Sequence, residues 1–114
     1  MIRATKAAGL ESYPGVFTAT EALGAIRAGA DALKFFPADV LGPGGIKGIS
    51  AVLPRHVPLL AVGGVDAGNI GDYLKAGVAG FGIGSSLYKP GLSPAEVGAR
   101  AKTMVAAWRA ASGA

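Results

Sequence analysis

Cysteine is absent from the 114 residues, which excludes a disulfide framework, a thiolate metal site and a thiol nucleophile. Histidine is nearly absent too. His56 stands alone in Leu53-Pro-Arg-His-Val-Pro58 with no second ligand beside it, and reads as an exposed turn residue. No stretch reaches the ~20 apolar residues of a membrane span. The opening MIRATKAAGLESYPG lacks the apolar core of a signal peptide. The expectation is a soluble, cytoplasmic protein with no membrane partner. Charge is sparse, at 16%, with a net of +4. The eleven basic residues run from Arg3 to Arg109 without a cluster or interleaved aromatics, so a nucleic-acid footprint is missing. A small anionic partner suits that balance. Both nucleotide fingerprints are missing: Gly82-Ile-Gly84 has no third glycine, and no lysine closes a phosphate loop.

What is present is a core and many turns. Half the residues (51%) are hydrophobic and nineteen are glycine, many where strand-like runs meet helix-like runs. The pattern repeats. Ala8-Gly9 precedes LESYPGV, Ala28-Gly29 precedes ADALKFFPA, and Ala76-Gly77 precedes VAGFGIGSS, while PLLAVGG is entered from LPRHVP. Glycine after a helix suits a left-handed cap, and short apolar runs predict buried strands. Helices are predicted behind the capping box Thr18-Ala-Thr-Glu21, over GGIKGISAVL, over IGDYLKAG behind Asn69, and from Ser93-Pro94 to the end. Asp66, Asn69 and Thr18 read as caps. IRATKAA reads as the last turns of an earlier helix.

Residues 1–114 thus form one unit of α/β class, with four strands each followed by a helix. Four such units make a small open sheet, or half of a (β/α)8 barrel, whose full length is about 250 residues. The helical remnant in front favours the half barrel.

Lys34 is the anomaly, a lysine in the strand ALKFF. Alternation puts Leu33 and Phe35 on one face and Lys34 on the other, with Ala32 and Phe36. If Leu33 and Phe35 meet the helices, Lys34 faces the barrel interior. Burial disfavours a charged amine, and a neutral amine condenses with carbonyl substrates. The alternative is a stem that packs while the ammonium reaches water; spacing leaves both open. The next two strands end in Gly63-Gly64 and in Gly84-Ser85-Ser86, and barrels of this kind often hold phosphate on the loops after their last two strands. Asp39 follows the lysine strand at the end that would border the site. Glu21 is explained by its capping box. Trp108, Met104 and Val105 make an apolar stripe on the last helix, which predicts core packing.

YPGVFTATEA, ALKFFPAD, AVGGV and GIGSSLY stand in the order and spacing of the 2-keto-3-deoxy-6-phospho-sugar-acid aldolases, the pyruvate-forming class I family. The chain resembles the C-terminal half of such an enzyme over essentially its whole length. The resemblance implies that Lys34 is the Schiff-base lysine of the sixth strand, with Phe36 and Pro37 in the pocket wall. It implies that Gly63, Gly64, Gly84, Ser85 and Ser86 hold the phosphate, and that Pro14-Gly15 borders the substrate. TATEA, Leu41-Gly42-Pro43 and AVGGV resemble the galactonate branch more than the gluconate branch, which tends to carry threonine where Val62 stands. The implied reaction cleaves 2-dehydro-3-deoxy-6-phosphogalactonate to pyruvate and glyceraldehyde 3-phosphate, with no metal and no cofactor. In the family a glutamate on an early strand is the general base and an arginine beside it binds the carboxylate. Neither strand is in this sequence, so it looks like a truncated or partial chain, weak or inactive alone. Homo-oligomers are expected, trimers by resemblance, and pairing of two halves would cover the open sheet edges. Two other readings stand beside this one, the gluconate epimer as substrate and a phosphate-binding half-barrel without catalysis.

Overall fold

The computed structural model describes residues 1–113. Helix α1 (Ile2–Ala7) leads into β1 (Gly15–Val16), α2 (Ala19–Arg27), β2 (Leu33–Phe35), α3 (Ala38–Ser50), β3 (Leu59–Val62), α4 (Ile70–Lys75), β4 (Gly80–Gly82) and α5 (Pro94–Ser112). The strands form one parallel sheet in the order β1-β2-β3-β4. Each crossover is a helix, as parallel neighbours require.

Alternation along the strands divides the sheet into two unlike faces. Leu33, Phe35, Leu59 and Ala61 are buried and join Ala22, Ala25, Ile46, Ile70 and Tyr73 in the core. Leu33, Phe35 and Ile46 are completely inaccessible; truncating such a phenylalanine to alanine costs about 3–5 kcal/mol. The other face carries Lys34, Leu60 and Val62, all only half-buried. Register aligns Gly15, Lys34, Leu60 and Gly80 in one row across this open face. Glycines flank the two large side chains there. A Cβ on Gly15 would meet Lys34 Cε at 3.3 Å, one on Gly80 would meet Leu60 Cδ2 at 3.0 Å, and one on Gly82 would meet Val62 Cγ2 at 2.6 Å. Each glycine gives the space over its strand to a neighbour's side chain.

The caps follow local chemistry. Thr18 Oγ1 accepts from the Glu21 amide (3.1 Å) and Glu21 accepts from the Thr18 amide (3.1 Å), closing the box that starts α2. Ser93 and Glu96 repeat it at α5. Gly9, Gly29 and Gly77 take positive φ behind their helices, at 74°, 104° and 97°.

Three expectations are corrected. The helix after β2 starts at Ala38, upstream of the glycine pair, and breaks at Gly42 (φ 73°, ψ 164°) before Pro43 resumes it. Asn69 occupies the cap position of α4 without capping it. Its Oδ1 accepts from the Asp66 amide (2.9 Å) and its Nδ2 donates to Gly64 O (2.8 Å), while Asp66 Oδ1 takes the Gly68 and Asn69 amides. Finally, no residue of α5 is buried. Trp108 and Val105 stay exposed and Met104 half-buried, lining an apolar groove of about 390 Å³ against Phe81 and Ile83 at the β4 edge. Met104 does pack against the core, as Ala107 does, while Trp108 and Val105 find no further strand to cover beyond β4 among the described residues.

Candidate active site

Lys34 sits in the middle of β2, hydrogen-bonded into the ladder through its own amide, which donates to Pro14 O at 2.9 Å. Because Leu33 and Phe35 face the helices, its side chain lies on the open face, half-buried. No strand stands opposite to seal it among the described residues, so it lies on an open face and not in a closed interior. The stem leans toward β1. Nζ is 3.9 Å from the point where a Gly15 Cβ would be and 5.9 Å from the centre of the Phe36 ring, within reach of a cation–π contact.

Phe36 is the hinge between the lysine and a second feature. A cavity of about 240 Å³ is lined by Phe36, Val62, Gly63, Gly64, Val65, Gly82, Gly84, Ser85 and Ser86. All lie at or just past the carboxyl ends of β2, β3 and β4, where ligands of parallel α/β sheets bind. Gly63 (φ 100°) passes so close to β2 that a Cβ would stand 3.3 Å from the Phe36 ring and from Pro37 Cα. The peptide between Phe36 and Pro37 is cis. Among the described residues, no acceptor takes the backbone N–H of Gly64, Gly84, Ser85 or Ser86. Unspent amides in consecutive turn residues form an anion-binding concavity.

Of the residues singled out in the sequence, Phe36, Val62, Gly63, Gly64, Gly84, Ser85 and Ser86 share this cavity. Lys34 borders it through Phe36 and does not line it. Pro14 is not brought to it; it lies by the β1 edge with Gly15, Ser12 and Tyr13. Ser86 is partly spent, its hydroxyl donating to Val65 O at 2.8 Å. Asp39, read as bordering the site, is exposed. Its amide donates to Gly63 O (3.2 Å) and its carboxylate fills the space beside Gly64. Sequence reasoning missed Arg100, whose guanidinium donates to Ser86 O at 3.4 Å from behind the turn. No local motif marks it, since the contact spans two elements. His56 is exposed in its turn. No cluster of three or more histidine, aspartate or glutamate side chains suited to a metal exists among the described residues. No described helix is long and apolar enough to cross a membrane.

A parallel four-stranded α/β half-barrel with a lysine on its open face, and glycine-rich loops at its carboxyl ends, defines the class. The family model of KDPG and KHG aldolase matches residues 1–102, and the chain belongs to that family. It is 53% identical over 113 residues to a Rhizobium meliloti protein named "Probable 2-dehydro-3-deoxy-6-phosphogalactonate aldolase", covering 99% of this chain and 53% of that protein. It is 44% identical over 111 residues to the Escherichia coli 2-dehydro-3-deoxy-6-phosphogalactonate aldolase, covering 97% and 54%. A solved structure described as native KDPGal superposes with a TM-score of 0.96 at 43% identity, over 99% of this chain and 55% of that one. The chain therefore spans about half the length of the curated relatives it matches.

Proposed function

We propose that this chain carries the imine-forming and phosphate-holding half of a class I aldolase, a carbon–carbon lyase acting on 2-dehydro-3-deoxy-6-phosphogalactonate. The observation that carries the reading is the arrangement around Phe36: a half-barrel lysine whose Nζ lies 5.9 Å from the ring centre, and a cavity lined by the same ring together with turn residues whose amides are unspent. Unprotonated Lys34 adds to the C2 ketone and water leaves, giving a protonated imine. Loss of the C4 hydroxyl proton lets the C3–C4 bond break, with its electron pair passing to the iminium. Glyceraldehyde 3-phosphate departs and an enamine remains. Protonation at C3 and hydrolysis release pyruvate and restore the amine. The distal phosphate, held by Gly63, Gly64, Gly84, Ser85 and Ser86, keeps the reacting carbons over Lys34, an advantage of orientation. Protonation of the imine supplies the polarisation, so the scheme calls for no metal or cofactor.

The base for the C4 hydroxyl is not among these residues in this reading; the family resemblance puts it on a glutamate of the other half. The chain by itself is then slower by ~10²–10⁴-fold, the usual worth of general-base assistance. Val62 lines the cavity beside Gly82, which supports a role in choosing between the galactonate and gluconate epimers. Homo-oligomers, trimers by resemblance, complete the reading.

The test is borohydride trapping with pyruvate followed by peptide mapping. A reduced adduct on Lys34, lost in Lys34→Met, is the expected result. Absence of any adduct alongside intact phosphate binding would instead leave a phosphate-binding half-barrel without catalysis. Turnover of the two epimers by a chain carrying both halves, with Val62→Thr as the variant, decides the branch; a preference unmoved by the substitution removes Val62 from the reading.

A further inference from the structure

Arg100 has no place in the chemistry above, yet it is tied to the turn that closes the cavity. Turn residues keep their amides aimed to one side more firmly when their carbonyls are bonded on the other. Gly84 O accepts from the amides of Leu87 (2.9 Å) and Tyr88 (3.0 Å). Ser86 O accepts from Arg100 (3.4 Å), and the Ser86 hydroxyl reaches across to Val65 O (2.8 Å). The carbonyl held by Arg100 and the Leu87 amide that bonds Gly84 belong to one planar peptide unit. Fixing the carbonyl therefore fixes the turn. Arg100 also lines a cleft of about 320 Å³ with Asp66, Ser86, Ala99 and Thr103, which shares Ser86 with the cavity at Phe36. It forms no salt bridge at 4 Å or less among the described residues. Its nearest electrostatic effect is on Glu96, whose carboxyl is held below the usual range mainly by Ser93 and in small part by this guanidinium.

We propose that Arg100 is a positioning residue for the anion site: its guanidinium, gripping the Ser86 carbonyl from α5, turns the Gly84–Ser86 amides toward a bound phosphate and adds a positive field behind them. The inference rests on the phosphate reading of that cavity. Peptide dipoles held in advance bind an anion without the cost of ordering the turn, and a partly buried cation is screened less than an exposed one. Asp66 in the same cleft works against the field, so the bonded geometry carries the larger share.

The experiment is titration of this chain with inorganic phosphate, followed by amide NMR shifts of Gly64, Ser85 and Ser86. Arg100→Ala is expected to weaken binding about tenfold, equivalent to ~1.4 kcal/mol. Arg100→Lys should recover part of the loss, and Arg109→Ala, an exposed cation on the same helix, should cost nothing. Circular dichroism checks that each variant folds. Pyruvate carries no phosphate, so borohydride trapping in Arg100→Ala should change less than twofold; a parallel collapse of trapping would show a general structural role and overturn the inference. Equal phosphate affinity in wild type and Arg100→Ala overturns it while leaving the cavity's reading intact. No phosphate binding by the wild-type chain removes both.

Discussion

At the scale of single residues, the open face works by reserving space. Lys34 leans over Gly15 because nothing projects from that strand. Gly15→Ala would place a methyl 3.3 Å from Lys34 Cε, tighter than ordinary contact, and the stem must move by tenths of an ångström. Imine trapping with pyruvate is expected to slow on the order of tenfold, because small misplacements of reacting atoms are costly. Gly80→Ala presses on Leu60 in the same row and should alter thermal stability with little change in trapping. A second residue-scale case is Asp31. Its carboxyl is held below the usual range by Lys6 Nζ (2.8 and 2.9 Å) and the Ser12 amide (2.7 Å). A folded value below the unfolded one, near 4, stabilises above the unfolded value and is lost as pH falls through the folded one. Asp31→Asn should therefore lower the urea midpoint at neutral pH, and the gap to wild type should close on acidification. Lys34 and the glycine pairs were legible because alternation and punctuation are local. The partnership of Gly15 with Lys34, and of Arg100 with Ser86, was not, since register and long contacts leave no mark in short windows.

Among the elements, the starts of α2 and α5 were the most readable. The four-residue capping box read at Thr18–Glu21 closes, and the Ser93 cap read at α5 is completed into a box by Glu96. Thr18→Ala should cost about 1 kcal/mol in chemical denaturation. Strand ends were less readable. The run LESYPGV yields only Gly15–Val16 as strand: Ser12 and Pro14 still accept from the Asp31 and Lys34 amides, but Pro14 has no N–H to return to the ladder. The break in α3 is a third case. Gly42 takes φ 73° and ψ 164°, a region open essentially to glycine, so Gly42→Ala should cost about 1–3 kcal/mol, read as a fall in denaturant midpoint with the far-ultraviolet spectrum of the folded state retained.

For the molecule as a whole, exposure is the telling quantity. The accessible surface is 6699 Å², against about 5,700 Å² for a compact monomer of this mass. The radius of gyration is 15.0 Å, against about 13 Å for this length. The excess belongs with the open face, the two unpaired edges and the groove beside Trp108. A surplus of this order, near 1,000 Å² per chain, matches what one partner contributes to a stable interface. Light scattering should therefore report a species larger than one chain, with Trp108 fluorescence shifting to shorter wavelength on assembly; a well-folded monomer at all concentrations would contradict that.

The last helix has a consequence of its own. With none of its residues fully buried, α5 is held through half-buried contacts such as those of Met104 and Ala107, and segments with little buried contact open early and exchange amide protons soon. Arg100 travels with it. Each time α5 lifts, the Gly84–Ser86 turn loses its brace, so a protease that nicks the chain near Leu92 should cut more slowly once an anion occupies the turn. Occupancy at one end of the sheet would then be recorded as the lifetime of a helix on its outside.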